Sequence, residues 1–285
     1  MKITDAYASK DHVYSFEFFP PKTDEGAENL LATCAELRES VQPDFVSVTF
    51  GAGGTTRDRT HQIVTTIQSE LKIPAMAHQT CVAATQDDIR ANVQRLVDAG
   101  IENVLALRGD MPKDAAGQSD MEFGHATDLI GFLQDEFDIS IGAATYPESH
   151  PESKTADQDL HWTRVKQDQG ADFLITQLFF DNADYFDHVR KARAAGVTIP
   201  IVPGIMPITN VAQVERFTQM CGATVPETLR ARLRPVQDDP GAVMAIGIEH
   251  AIDQCRGLLD GGAPGLHFYT LNKSFATRGI LAALR

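Results

Sequence analysis

The stretch Val13-Tyr14-Ser15-Phe16-Glu17-Phe18-Phe19 is the first of eight short runs rich in aromatic and β-branched residues. Runs of this kind are typical of buried strands, and amphipathic stretches typical of helices separate them. One such helix is predicted to open at Thr85 and to end near Gly100, because a capping residue precedes the periodic run and glycine follows it. The predicted strands are residues 13–19, 45–50, 75–79, 104–107, 139–145, 173–179, 199–202 and 266–269.

Strands that alternate with helices indicate an α/β protein with a parallel sheet. Eight such units in 285 residues fit a closed (β/α)8 TIM barrel better than an open doubly wound sheet. The seventh unit is long and contains two helical stretches, residues 211–220 and 242–259, separated by a segment with proline and aspartate at 226–240. We therefore predict a TIM barrel with extra helices in the seventh βα unit, and residues 1–285 as a single catalytic barrel domain.

The overall composition favours small-molecule chemistry. A formal charge of -14 argues against nucleic-acid or anionic-membrane partners, because binding phosphate groups requires clustered Lys and Arg. The four cysteines are far apart, which predicts reduced thiols and no disulfide framework or structural metal. The N-terminus has no apolar signal region, and no apolar run approaches the roughly 20 residues that span a bilayer. We expect a soluble, cytoplasmic protein.

Glu17 is a charged residue within an aromatic run. If Phe16, Phe18 and Phe19 desolvate this carboxylate, its pKa should rise until it can donate a proton at neutral pH. The alternative from this segment alone is a glutamate neutralised by an Arg or Lys partner.

Polar side chains recur where the predicted strands end, and catalytic residues of a barrel lie at that end of the strands. Each residue alone also has a structural explanation: Thr49 could bond backbone, His78 could be a satisfied core imidazole, and Arg108 could pair with Asp110. Their convergence favours a functional site. The strand-end residues are Glu17, Thr49, His78, Gln79, Thr80, Arg108, Gly109, Asp110, Tyr146, Pro147, Glu148, Gln177, His267, Phe268 and Tyr269.

Other motifs are weak. The glycines at 51–54 lack the spacing of a dinucleotide-binding turn, and no P-loop lysine follows a glycine-rich stretch. No lysine ends a predicted strand, which disfavours a Schiff-base aldolase. No HxH or HExxH pair lies on a predicted element, which disfavours zinc chemistry.

Five segments, in the same order, closely resemble bacterial-type methylenetetrahydrofolate reductase. They are Phe16-Glu17-Phe18-Phe19-Pro20-Pro21-Lys22, Val48-Thr49-Phe50-Gly51-Ala52-Gly53-Gly54, Leu107-Arg108-Gly109-Asp110, Tyr146-Pro147-Glu148-Ser149-His150-Pro151-Glu152 and Phe268-Tyr269-Thr270-Leu271-Asn272. The match runs from about residue 15 to residue 272. Five motifs in register are far more specific than any one of them.

The resemblance implies a barrel that holds FAD noncovalently. Residues that match the family's flavin contacts are Thr49, His78, Arg108, Gly109, Asp110, Tyr146, His150, Asp159 and Lys166. Arg108 and Lys166 suit the diphosphate of FAD, and Asp159 suits a ribose or adenosine hydroxyl. Substrate contacts are implied for Glu17, Thr49, Asp110, Gln177 and Phe217, while Lys273 stands where the family has an arginine that contacts the folate tail.

The implied reaction is reduction of 5,10-methylenetetrahydrofolate to 5-methyltetrahydrofolate with NADH or NADPH as donor. Hydride would pass through flavin N5 in a ping-pong sequence, Glu17 would protonate N10, and Asp110 would orient the substrate and make flavin reduction harder. The product would supply methyl groups for methionine synthesis. We expect a homo-oligomer without an allosteric domain. The sequence leaves open another flavin barrel, such as a proline-dehydrogenase-like oxidase, and a noncatalytic folate-binding barrel.

Overall fold

A parallel barrel forms the centre of the molecule. The structure is a computed structural model that describes residues 1–50, 57–110 and 122–284. Its strands are β1 (Val13–Phe18), β2 (Phe45–Val48), β3 (Ala75–Thr80), β4 (Asn103–Leu107), β5 (Ser140–Thr145), β6 (Phe173–Thr176), β7 (Ile201–Val202), β8 (Gly204–Ile205) and β9 (Gly265–Tyr269). Their order is β7-β6-β5-β4-β3-β2-β1-β9-β8, and every pair is parallel.

Strands β7 and β8 are two halves of one strand, separated by Pro203 alone. The first half pairs with β6 and the second with β9, so this strand closes the barrel. Proline has no backbone N–H to donate, but the carbonyl of Pro203 accepts from His267 N at 3.0 Å. The eight predicted strands and the TIM barrel are therefore confirmed.

The predicted sixth strand was too long. It ends at Thr176, and the backbone N–H of Leu178 donates to the Gln177 side chain at 2.9 Å. A local side-chain bond of this kind replaces a ladder partner, so the chain leaves the sheet before the predicted end at Phe179.

Helices surround the barrel and link its strands. They are α1 (Ile3–Ser9), α2 (Asp24–Ser40), α3 (Arg57–Ser69), α4 (Gln86–Asp98), α5 (Ala126–Glu136), α6 (Ala156–Asp168), α7 (Asn182–Ala194), α8 (Val211–Cys221), α9 (Glu227–Leu233), α10 (Pro240–Asp260) and α11 (Phe275–Leu284). The extra helices predicted between the seventh and eighth strands are present as α8 and α10. Helix α9 lies inside the stretch 226–240, which was predicted to separate them.

Local capping explains where these helices begin. The Thr85 hydroxyl accepts from Asp88 N at 3.1 Å, and the Asp88 carboxylate accepts from Thr85 N at 3.1 Å. These two bonds form a capping box. At the other end of α4, Gly100 has φ 81°. This left-handed conformation is accessible to glycine without strain, so the predicted boundaries of the helix are confirmed.

Helix α1, which the sequence pattern did not predict, covers the N-terminal end of the barrel. Ile3 packs with Phe45 and Phe173, which begin β2 and β6. Asn103, the first residue of β4, accepts from Ile3 N at 2.7 Å and donates to the carbonyl of Ala75 at 3.2 Å. This end of the barrel is closed by packing.

Candidate functional site

A cavity of about 620 Å³ opens at the C-terminal ends of the strands. That volume lies within the range of small-molecule and cofactor sites. The cavity is lined by every residue predicted to be catalytic or to contact cofactor or substrate except Lys273, whose side chain is exposed. Five of the strand-end residues do not line it: Gln79, Pro147, Glu148, His267 and Phe268. The predicted residues brought together are Glu17, Thr49, His78, Arg108, Gly109, Asp110, Tyr146, His150, Asp159, Lys166, Gln177 and Phe217.

Glu17 is the second-to-last residue of β1 and is only 6% exposed. Side chains alternate along a strand, so Glu17 faces the cavity while Phe16 and Phe18 belong to the apolar cluster that includes Leu30 of α2. The aromatic run therefore does not surround the carboxylate as the sequence reasoning assumed.

Two histidines contact the Glu17 carboxylate instead. Its Oε2 lies 3.4 Å from His267 Nε2 and 3.3 Å from His78 Nε2. Burial raises the pKa of Glu17, but electrostatic interaction with His78 and the hydrogen bond with His267 outweigh that effect and hold the pKa at about 2. The predicted rise in pKa is wrong for this arrangement. The alternative of an Arg or Lys partner is wrong as well, because the side chains that contact the carboxylate are imidazoles.

The position of His267 extends the contact into a row of three side chains. Its Nδ1 lies 2.8 Å from Ser15 Oγ, and its Nε2 faces Glu17. In the sheet register, His267 of β9 pairs with Ser15 and Tyr269 pairs with Glu17. Sequence reasoning placed His267 at a strand end but gave it no role. The available signal was that Ser15 and Glu17, two residues apart on β1, face the same side of the strand and could share one partner.

His78 has a different environment. Its Nε2 is buried and forms no hydrogen bond with the described residues, although Glu17 Oε2 lies 3.3 Å away. A buried polar atom without a partner is costly, and this one lines the cavity. A ligand with a polar edge would satisfy it.

Cationic side chains lie beside the loop that joins β5 to α6. Arg108, just after β4, pairs with Glu152 of this loop: Nη1 donates to Oε2 at 2.6 Å and Nη2 to Oε1 at 2.8 Å. Lys166 of α6 is half-buried and donates to the carbonyl of Ala144 at 2.7 Å. Burial lowers the pKa of Lys166, and nearby Asp159 opposes that effect.

The same loop positions two further predicted residues. His150 Nδ1 accepts from Glu152 N at 3.0 Å, so this nitrogen is unprotonated; burial lowers the pKa of His150. The Tyr146 and His150 rings meet edge to face, with centroids 4.6 Å apart. Burial also raises the pKa of Tyr146. Both groups therefore remain neutral hydrogen-bonding side chains at neutral pH.

Sequence reasoning missed several cavity residues, among them two stacked aromatic rings. Trp162 and His125 stack with centroids 5.6 Å apart and planes 11° apart, and both line the cavity. Trp162 follows Asp159 by three residues on α6, and Lys166 follows Asp159 by seven. Residues with this spacing share one helix face, so helical periodicity could have identified Trp162.

The remaining predicted residues lie around the rim. Gly109 has φ 88°, and a Cβ there would approach Val82 Cγ1 to 2.8 Å, so both its backbone and its surroundings require glycine. Phe217 is half-buried on α8. The glycines at 51–54 lie outside the described residues.

The donor set fits a flavin dinucleotide. Arg108 and Lys166 are cations suited to a diphosphate, stacked aromatic rings line the same cavity, and His78 offers a buried nitrogen that forms no hydrogen bond with the described residues. In the described parts of the chain, no helix could cross a membrane, and no cluster of three or more His, Cys, Asp or Glu side chains is arranged to hold a metal ion.

The fold and the cavity define a (β/α)8 barrel protein with an ionisable site at the C-terminal ends of its strands. Comparison of sequences gives the particular family. The profile of the methylenetetrahydrofolate reductase family matches residues 2–285, and the chain belongs to this family.

Curated relatives include bacterial and eukaryotic proteins. The 5,10-methylenetetrahydrofolate reductase of Pectobacterium carotovorum is 39% identical over 95% of this chain and 89% of its own length. The corresponding Escherichia coli protein is 38% identical over 95% of this chain and 90% of its own length. Methylenetetrahydrofolate reductase 1 of Schizosaccharomyces pombe is 37% identical over 100% of this chain, which spans 48% of that relative.

Among solved structures, a protein from Clostridium thermocellum described as binding two copies of 5-methyl-5,6,7,8-tetrahydrofolic acid has a TM-score of 0.62. It is 15% identical, and the match covers 99% of this chain and 97% of that one. At this identity the likeness supports the barrel fold.

Proposed function

We propose that this chain reduces 5,10-methylenetetrahydrofolate to 5-methyltetrahydrofolate, with FAD as cofactor and NADH or NADPH as donor. The observation that carries the proposal is one cavity in which a buried carboxylate, Glu17, faces the same space as Arg108 and Lys166. Glu17, once protonated, could act as a general acid toward the folate, and the two cations could bind a diphosphate. Family membership supports the folate as substrate.

Residues that would hold FAD lie along one wall. Arg108 and Lys166 would contact the diphosphate, Asp159 a ribose or adenosine hydroxyl, and His78 and Tyr146 the flavin. Thr49, Gly109, Asp110 and His150 complete the set implied by the family's motifs. When bound, FAD supplies a carrier that accepts hydride from the nicotinamide and delivers hydride to the folate.

The chain's own chemical task is proton transfer. Opening the five-membered ring of the folate requires a proton at N10, and we assign its delivery to Glu17. His78 and His267 hold this carboxyl ionised. A folate that excludes water from the cavity adds a desolvation that favours the neutral carboxyl, so proton uptake would accompany substrate binding.

Other side chains position the substrate. Gln177 would contact the pterin, Phe217 would pack on the ring systems, Asp110 would orient the folate, and Lys273 would reach its glutamate tail. Negative charge at Asp110 would also disfavour the reduced, anionic flavin. From the family we further propose one catalytic domain over residues 1–285, a cytoplasmic homo-oligomer, and a product that supplies methyl groups for methionine synthesis.

The test is an absorbance spectrum of the purified protein, followed by anaerobic NADH or NADPH and then 5,10-methylenetetrahydrofolate. We expect a flavin spectrum that bleaches with the nucleotide and returns with the folate. A flavin that the folate does not reoxidise would favour another flavin barrel. A colourless protein that FAD cannot reconstitute would refute the cofactor assignment and favour a noncatalytic folate-binding barrel.

A further inference from the structure

The Arg108–Glu152 pair uses the edge of Arg108 that a phosphate group would need. Arg108 Nε donates to the carbonyl of Gly109 at 3.3 Å, which leaves the two terminal nitrogens to face outward. Both of these donate to Glu152 in a bidentate pair. Carboxylate and phosphate are recognised by the same guanidinium fork, so a diphosphate at this position competes directly with Glu152.

Arg108 is the strongest available anion-binding group among the described residues of the cavity. The other cation, Lys166, is half-buried near Asp159, and its ammonium donates to the carbonyl of Ala144. A diphosphate that did not displace Glu152 from Arg108 would therefore find few unoccupied hydrogen-bond donors among these cations. Whether Glu152 is bound to the guanidinium of Arg108 therefore determines how strongly this part of the cavity attracts an anion.

Glu152 is suited to leave. Its side chain is 62% exposed, whereas that of Arg108 is 21% exposed. Glu152 follows β5 in the loop before α6, and its backbone N–H is bonded to His150, so the side chain can turn into water while the loop keeps its shape. An exposed ion pair is weak in net terms, because both charges are well solvated when apart.

We propose that the Glu152 carboxylate is a displaceable occupant of the phosphate-binding edge of Arg108, and that it limits the affinity of the site for a flavin that carries a diphosphate. This inference rests on the proposed function, since it concerns the assigned FAD site. It makes Glu152 a selectivity residue: its carboxylate opposes phosphate-bearing ligands and leaves flavins without phosphate unaffected.

The test compares FAD with riboflavin, which lacks the diphosphate, in fluorescence titrations of the flavin-stripped full chain. Glu152→Gln removes the negative charge that competes for Arg108, so FAD should bind roughly two- to fivefold more tightly, while the riboflavin Kd stays unchanged. The matched control is Glu136→Gln. Glu136 forms a bidentate pair with Arg90, at 3.1 Å for both bonds, and does not line the cavity. This control should alter neither Kd.

The possible outcomes separate the two proposals. Weaker or unchanged FAD binding by Glu152→Gln would overturn the inference, because Glu152 would then orient Arg108 or be irrelevant to the ligand. An equal gain for riboflavin would overturn it too, since the effect would not depend on phosphate. Wild-type protein that binds neither flavin would overturn the FAD assignment and the inference together.

Discussion

Replacing Glu17 by Gln removes the transferable proton and preserves the size of the side chain. The pKa of Glu17 indicates how much free energy its protonation requires at neutral pH. The pKa of Glu17 falls from 4.5 to about 2, which corresponds to about 3 kcal/mol in favour of the ionised carboxyl. At pH 7 roughly one molecule in 10⁵ would carry the proton before substrate binds. If Glu17 is the general acid, as proposed, it must take up its proton within the folate complex.

Without a general acid, the folate half-reaction should slow by about 10²- to 10⁴-fold. Reduction of the flavin by NADH or NADPH needs no proton from Glu17 and should remain within a few-fold of wild type. Anaerobic stopped-flow absorbance measures the two half-reactions separately. The wild-type folate step should also slow as pH rises through the pKa of Glu17 in the complex, and this dependence should be absent from Glu17→Gln.

Asp44→Asn is the matched control. Asp44 is a buried carboxylate beside the start of β2, at the opposite end of the barrel, where it accepts from Tyr14 N at 2.7 Å. Its loss should lower stability and leave both half-reactions near wild type. The reasoning is refuted if Glu17→Gln reoxidises with folate at the wild-type rate, or if both half-reactions fall equally in Glu17→Gln.

Two further predictions concern Gly204, in the strand that closes the barrel, and Lys166, in the cavity. Gly204→Ala should destabilise the protein by about 1–3 kcal/mol, because the new Cβ would lie 2.3 Å from the carbonyl oxygen of Thr176. The control Gly279→Ala should not destabilise it, because no atom lies within 4 Å of a Cβ at that position. Thermal unfolding measures both variants, and equal stabilities would contradict this account. Burial lowers the pKa of Lys166, and a diphosphate binds its protonated form. FAD affinity should therefore weaken as pH rises through that lowered pKa, less so in Lys166→Met; titrations that show the same pH dependence in both proteins would exclude this role.

The barrel was predictable because each strand and helix carries its own local pattern. The change of partner at Pro203 was not, since it depends on where β6 and β9 lie after closure. Helix α1 was missed for a related reason. It has only seven residues, and a helix of that length is held by tertiary contacts, here with Phe45 and Phe173, more than by its own propensity.

The strand-end rule located the candidate site, but the sequence did not reveal its electrostatics. Glu17 was interpreted from its neighbours in the chain, whereas its partners come from β3 and β9. His267 is 250 residues away from Glu17. No local pattern encodes such a contact, so the direction of the pKa shift could not be derived without the register of β1 on β9. Glu152 was recognised as part of a motif, but its pairing with Arg108 was not.

The pairing of the first strand with the last has a consequence for biosynthesis. During synthesis β1 emerges about 250 residues before residues 265–269, which complete its second ladder. Until then β1 is an open edge that can pair with other chains, and closure over such a sequence distance is slow. The Glu17–His267 contact forms only when the ring closes, so the candidate site and the finished barrel arise in the same event.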